Sequence, residues 1–133
     1  MNYLGLDLGT KTLGLSISKG VIATNLKTIR YNTKEELLKQ LEEIIKENNI
    51  DVLVLGLPKN MNNTIGPRAE VTLEFKKELE KLNYKVELQD ERLSTVEAHN
   101  LMIQADMSRK KRKEKVDTLA ATIILQTYLD RRN

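Results

Sequence analysis

The sequence predicts an α/β fold in which a mixed five-stranded sheet carries helices on both faces. Three observations lead there. The N-terminal segment alternates apolar and small residues in the two-residue period of strands. The chain then switches to the helical period at about Thr33. From there, helical stripes and short apolar runs follow one another to the end, the pattern of a sheet built with helical crossovers.

Residues 3–8 form a buried strand, and Thr12 to Ser18 a second, with Leu13, Leu15 and Ile17 on one face and Thr12, Gly14, Ser16 and Ser18 on the other. Gly9-Thr10-Lys11 joins them too tightly for anything but a hairpin. Residues 26–31 add a third strand. Thr33 opens a helix with Glu36 three positions on, the spacing of a capping box, and Leu37, Leu38, Leu41, Ile44 and Ile45 give it an apolar stripe that Asn48-Asn49 ends. The unbroken run Asp51-Val52-Leu53-Val54-Leu55-Gly56 reads as a central strand buried on both faces, and a right-handed crossover places it parallel to the first. A loop over 57–66 leads to Pro67, suited to a first helical turn. Val71, Phe75, Leu79 and Leu82 supply that helix's buried stripe, and Asn83 stops it in a left-handed conformation. Tyr84 to Gln89 is the last strand. Ser94 and Glu97 form a second capping box before Leu101 and Met102, and a final helix over about 115–131 buries Ala120, Ala121, Ile124, Leu125 and Tyr128. No repeat or linker interrupts this order, so residues 1–133 read as one domain.

Composition narrows the function. The chain has no cysteine, which excludes disulfides and thiolate metal sites, and its start lacks the basic and apolar segments of a signal peptide. No apolar run reaches the roughly 20 residues of a membrane span. A cytoplasmic protein without a membrane partner is expected. The net charge is +3, but six basic side chains fall between Arg109 and Lys115, broken only by Glu114. Such runs are usually solvated; bordering an acidic residue of interest, this one reads as a phosphate-contacting loop.

Three acids stand where acids are costly. Asp7 interrupts an apolar strand near its carboxyl end, the edge at which open α/β sheets bind ligands. A turn-capping aspartate would look the same. Glu91 follows the last strand; of the adjacent Asp90 and Glu91, alternation lets at most one aim at Asp7, and a bridge to Arg92 or a helix-start charge would also account for it. Asp117, placed in the first turn of the last helix, shares the inward face with residues 120, 121, 124 and 128, although pairing with Lys113 or Lys115 is an alternative. Together the three form a carboxylate cluster able to hold magnesium or manganese, hard cations that prefer oxygen donors, and such a cluster can hydrolyse a phosphodiester with two metal ions. His99 reads as a surface residue.

The four ordered motifs Gly5-Leu6-Asp7-Leu8-Gly9-Thr10-Lys11, Gly56-Leu57-Pro58-Lys59-Asn60-Met61 with Gly66-Pro67-Arg68-Ala69, Asp90-Glu91-Arg92-Leu93-Ser94-Thr95-Val96-Glu97-Ala98, and Lys115-Val116-Asp117 with Leu119-Ala120-Ala121 and Ile124-Leu125 resemble those of the YqgF family, also called RuvX. These are small bacterial proteins described as Holliday junction resolvases or as nucleases acting on the precursor of 16S ribosomal RNA. The resemblance runs nearly end to end. It implies a ribonuclease H-like fold, and it implies that Asp7, Glu91 and Asp117 are the catalytic and metal-binding acids. Asn62-Asn63 departs from the Asp-Gly that family members often carry, which affects a loop and spares the acids.

The expected activity is metal-dependent endonucleolytic hydrolysis of structured nucleic acid, in processing the 5′ end of precursor 16S rRNA. Alternatives are a Holliday junction resolvase and a non-catalytic RNA-binding maturation factor. A phosphotransferase is a weaker alternative, because the Gly5–Thr10 segment also resembles the phosphate loop of sugar kinases. Lys11, Lys59, Arg68, Arg92 and the run Arg109, Lys110, Lys111, Arg112 and Lys113 are the candidate phosphate contacts. With no Trp and no aromatics in the basic run, recognition by backbone shape is expected rather than base reading. A monomer or weak homodimer is expected.

Overall fold

The computed structural model describes residues 1–58, 65–91 and 109–132, the side chains of 109–117 excepted. In chain order the elements are β1 (Tyr3–Leu8), β2 (Thr12–Ser18), β3 (Ala23–Arg30), α1 (Lys34–Glu47), β4 (Val52–Leu57), α2 (Pro67–Lys81), β5 (Val86–Asp90) and α3 (Arg109–Arg132). The strands pair into one five-stranded sheet of order β3-β2-β1-β4-β5. β1, β2 and β3 are antiparallel neighbours, whereas β4 joins β1 in parallel and β5 joins β4 in parallel. The expected mixed sheet, its hairpin and the parallel placement of β4 beside β1 are all present.

Alternation along the strands separates two cores. Leu4, Leu6, Leu8, Leu53 and Leu55 point to the α1 and α2 side and pack with Leu37, Leu41, Phe75 and Leu79. Tyr3, Val52 and Val54 point to the other side, against Ile124, Leu125, Tyr128 and Leu129 of α3. Beyond these, the α3 side carries the small residues Gly5, Ser16 and Gly56, and this allows close approach. A Cβ on Gly5 would lie 2.8 Å from Leu125 Cβ and 2.9 Å from the Ala121 carbonyl oxygen, well inside contact distance. Ser16, also on this face, is fully buried and donates 2.7 Å to that same carbonyl.

Helix ends follow local chemistry. Thr33 accepts from the Glu36 amide at 3.2 Å, as its capping role requires, while the Glu36 carboxylate accepts from the Asn32 amide at 3.1 Å, one residue earlier than in a regular capping box. Pro67 starts α2, and Asn49 and Asn83 adopt left-handed φ values of 52° and 69° after α1 and α2.

Several sequence expectations change. β3 begins at Ala23 rather than 26, and β5 at Val86 rather than 84. In α2, Val71 and Leu82 are 58% and 51% exposed, and Ala69 and Thr72 take the buried positions with Phe75 and Leu79. Thr72 is tolerated inside because its hydroxyl donates to the Arg68 carbonyl at 3.0 Å, one turn back. The last helix begins at Arg109, so the basic run occupies its opening turns and is not a loop, and Asp117 lies beyond the first turn. Lys and Arg are good helix formers and continue the helical path that the apolar stripe sets. The expected capping box at Ser94, the helix with Leu101 and Met102, and the Asn62-Asn63 loop lie outside the described residues.

Candidate active site

β1 delivers Asp7 to the carboxyl end of the sheet's centre. Asp7 is in phase with Tyr3 and Gly5, so it faces α3, and it pairs across β2 with Gly14, which adds no side chain there. β5 delivers Glu91 to the same place from the other side of β4. Its amide donates to the Leu57 carbonyl at 3.1 Å, extending the parallel ladder one residue past β5. By alternation Gln89 and Glu91 face α3, where Gln89 accepts from Arg131 at 2.8 Å, while Asp90 stands on the opposite side. The sequence expectation that only one of the adjacent acids reaches Asp7 therefore holds for Glu91.

Between the two strands sits Gly56. A Cβ at that position would fall 2.7 Å from Glu91 Oε2, 2.9 Å from its Cδ and 2.5 Å from Ile124 Cδ1. The missing side chain is the space that the carboxyl group occupies. Gly56 belongs to a motif read from the sequence without a role for this glycine; the signal that could have found it is a glycine ending a wholly apolar central strand.

The two acids meet. Glu91 is buried, its carboxyl group shares a hydrogen bond with that of Asp7, and its Oε2 has no hydrogen-bond partner. Burial first, and the adjacent Asp7 carboxylate second, push Glu91 from an ordinary 4.5 up to about 9. Near neutral pH the buried pair therefore favours holding one proton between its two carboxyl groups. Arg68 opposes the shift from nearby. Its Nη2 donates 2.7 Å to the Leu8 carbonyl and its Nη1 3.4 Å to Thr10 Oγ1, which fixes the start of α2 over the end of β1.

Asp117 approaches the same level through its backbone. α3 runs antiparallel to β1: Tyr128 stacks near Tyr3 with ring centroids 6.2 Å apart, and Ala121 lies over Gly5. Thr118 hydrogen-bonds Thr28 at 3.3 Å; Thr28 pairs with Gly14, and Gly14 with Asp7. Position 117 is thus at the sheet level of Asp7, and its side chain lies outside the described residues. So do Lys59, Arg92 and His99, and the side chains of Arg109, Lys110, Lys111, Arg112 and Lys113. Lys11 is exposed in the β1–β2 turn, at the same end of the sheet.

The donor set fits a hard divalent cation. It is all oxygen, carries two acids for one nearby guanidinium, and leaves a buried carboxylate oxygen without a donor, an arrangement that costs free energy unless a cation or proton satisfies it. Among the described residues no group of three or more acids or histidines is close enough to hold a metal alone.

A central mixed sheet presenting acids at its carboxyl edge is the arrangement of the ribonuclease H-like fold, and comparison with known proteins agrees. The fowlpox virus Holliday junction resolvase matches with a TM-score of 0.63 over 100% of both chains at 14% identity. Thermus thermophilus RuvC, solved with a Holliday junction substrate, matches with a TM-score of 0.60 at 15% identity, covering 99% of this chain and 95% of RuvC. At these identities the likeness is one of fold. Sequence goes further: the RuvX family, described as Holliday junction resolvase, matches residues 1–131. A Clostridium botulinum protein named "Putative pre-16S rRNA nuclease" is 52% identical over 98% of both chains. The chain belongs to the RuvX family and is an endonuclease, a hydrolase of the nuclease and resolvase group, which generally uses divalent metal ions. Family membership supports the nuclease reading over the phosphotransferase alternative. No helix among the described residues is long and apolar enough to cross a membrane.

Proposed function

We propose that this endonuclease trims the 5′ end of precursor 16S rRNA in the cytoplasm, with residues 1–133 acting as one domain and Asp7, Glu91 and Asp117 as its catalytic acids. The observation that carries the site is the contact between the Asp7 and Glu91 carboxyl groups with an orphaned oxygen buried beside them. The substrate is supported by the name of relatives such as the 52% identical clostridial protein, a pre-16S rRNA nuclease by that name.

Asp7, Glu91 and Asp117 would hold magnesium or manganese. Bound there, such ions would supply a lowered pKa for an attacking water and charge neutralisation for the leaving oxygen of a phosphodiester. The chain's own residues do the rest. Gly56 leaves room for Glu91 at the reacting edge, and the buried Asp7–Glu91 pair favours the protonated form while no cation neutralises it. Arg68, Lys11, Lys59, Arg92 and the basic start of α3, from Arg109 to Lys113, neutralise backbone phosphates, giving affinity that falls with salt.

The family description favours a second substrate, the four-way DNA junction. Symmetric cutting of a junction needs two active sites and hence a dimer, whereas trimming an RNA end suits the expected monomer or weak homodimer. The test is cleavage of precursor 16S rRNA and of a four-way junction by wild type and Asp7→Asn over a magnesium and manganese titration. Cleavage of the RNA in preference, lost in Asp7→Asn, is expected. Equal activity of the two proteins removes the proposed site, and preference for the junction selects the second substrate.

A further inference from the structure

On the α1 and α2 side of the sheet, just beyond the end of β1, lies a cavity of about 380 Å³ that the carboxylate site does not use. Its walls are apolar and partly aromatic: Leu8, Tyr31, Val71 and Phe75. Its rim carries Arg68 at the start of α2, and Lys34 at the start of α1, whose ammonium is already paired with Glu78 at 2.7 Å, so the anion contact falls to Arg68. The volume is at the small end of the ~300–1,000 Å³ range of small-molecule sites, so it suits one flat group rather than a peptide or a duplex.

The rim favours an anion. The N-cap of α2 is Gly66, which has no side chain to cap this 15-residue helix, and Pro67 and Arg68 of its first turn line the opening. The walls are held in shape: Tyr31 donates its hydroxyl to the Gly9 carbonyl at 2.8 Å, and its amide donates to the Lys11 carbonyl at 3.0 Å. The turn Leu8-Gly9-Thr10 therefore forms one side of the cavity, directly after Asp7 in sequence. Arg68 connects the two places, because it lines the cavity and also acts electrostatically on Glu91.

We propose that this cavity is a nucleotide subsite, which takes one unstacked base of the substrate strand against Tyr31 and Val71, with the buried Phe75 as its floor and its phosphate at Arg68 and the start of α2. A flat apolar body joined to a phosphate, next to acids that act on phosphodiesters, is the chemistry of a nucleotide within the strand being cut. The assignment rests on the nuclease reading of Asp7 and Glu91. It gives the enzyme a means to recognise a base, which the sequence alone did not suggest.

The test is binding without cleavage, by fluorescence anisotropy in chelator, of labelled RNA single strands of about 10 nucleotides. Wild type should bind base-bearing strands about tenfold more tightly than an abasic strand of equal length, the scale of one stacked base. Val71 is 58% exposed, so Val71→Trp can fill the cavity without disturbing the core. That variant should lose the preference and bind both strands as wild type binds the abasic one, whereas Val21→Trp, at a 69% exposed position away from the cavity, should keep it. Equal binding of the two strands by wild type overturns the proposal, and so does a preference that survives in Val71→Trp. Free nucleoside monophosphates provide the remaining arm: if they bind wild type and not Val71→Trp while strand binding is the same in both proteins, the cavity holds a free nucleotide and the strand assignment fails. Because none of these readings needs turnover, failure of the nuclease site in the cleavage assay is recognised separately.

Discussion

The two faces of the sheet use the same strands for opposite purposes. Toward α1 and α2, β1 and β4 present Leu4, Leu6, Leu8, Leu53, Leu55 and Leu57, all buried, and stability there comes from apolar bulk. Toward α3 the same strands present Tyr3, Gly5, Asp7, Val52, Val54 and Gly56. The residues shrink toward the carboxyl end, and the space they vacate is filled by a helix backbone and a buried acid. One face is built to be stable. The other gives up stability at its edge to keep two carboxyl groups in contact. Stability and activity should therefore respond independently to substitutions only one residue apart in sequence.

The largest stability effect should come from the bulky face. Leu6→Ala leaves a cavity under α1 and α2 and is expected to cost about 3–5 kcal/mol in denaturant unfolding, with cleavage per folded molecule unchanged. Gly56→Ala is the counterpart on the α3 face. The added Cβ meets the Glu91 carboxyl group and Ile124, so about 1–3 kcal/mol is lost to overpacking, and cleavage falls with it because Glu91 is displaced. Normal cleavage by Gly56→Ala would show that the exact seat of Glu91 does not matter.

A smaller effect of opposite sign is expected for Glu91→Gln. The amide can donate to Asp7 as the protonated acid does, without a charge to bury. The variant should be more stable than metal-free wild type at pH 8, by on the order of 1 kcal/mol, while cleavage is lost. The pH dependence follows from the same group. Its folded pKa of about 9 exceeds the ordinary 4.5, so folding favours the protonated form. Its contribution to stability is complete below about 4.5 and is lost as pH rises toward about 9. Thermal melts of metal-free wild type should decline across that window, and Glu91→Gln should flatten the decline.

The strand pattern, the parallel crossover and the positions of Asp7 and Glu91 were legible in the sequence for a shared reason. Alternation reports burial directly, and a carboxylate that interrupts or ends an apolar strand contradicts its surroundings. What escaped depends on how elements approach one another. Val71 fitted a helical stripe but is exposed, while Thr72 is buried, because the α2 face that meets the sheet is set by the docking of Arg68 on Leu8 and Thr10. The role of Gly56 needed the position of Glu91, which comes from another strand. The basic run looked like a loop because charge obscures helical periodicity, and its backbone is helical from Arg109 onward. The cavity beside Tyr31 had no sequence signature, since its walls come from β1, the β1–β2 turn, the start of α1 and α2.

The most direct test of the central claim, that Asp7 and Glu91 form a pair holding one proton in place of a metal ion, is calorimetric titration of manganese into the protein at pH 7 in buffers of different ionisation enthalpy. The account predicts that wild type releases about one proton for each cation bound, that Glu91→Gln releases none, and that Asp7→Asn binds at least about tenfold more weakly. Binding by wild type with no proton released, or undiminished binding by Asp7→Asn, would contradict it.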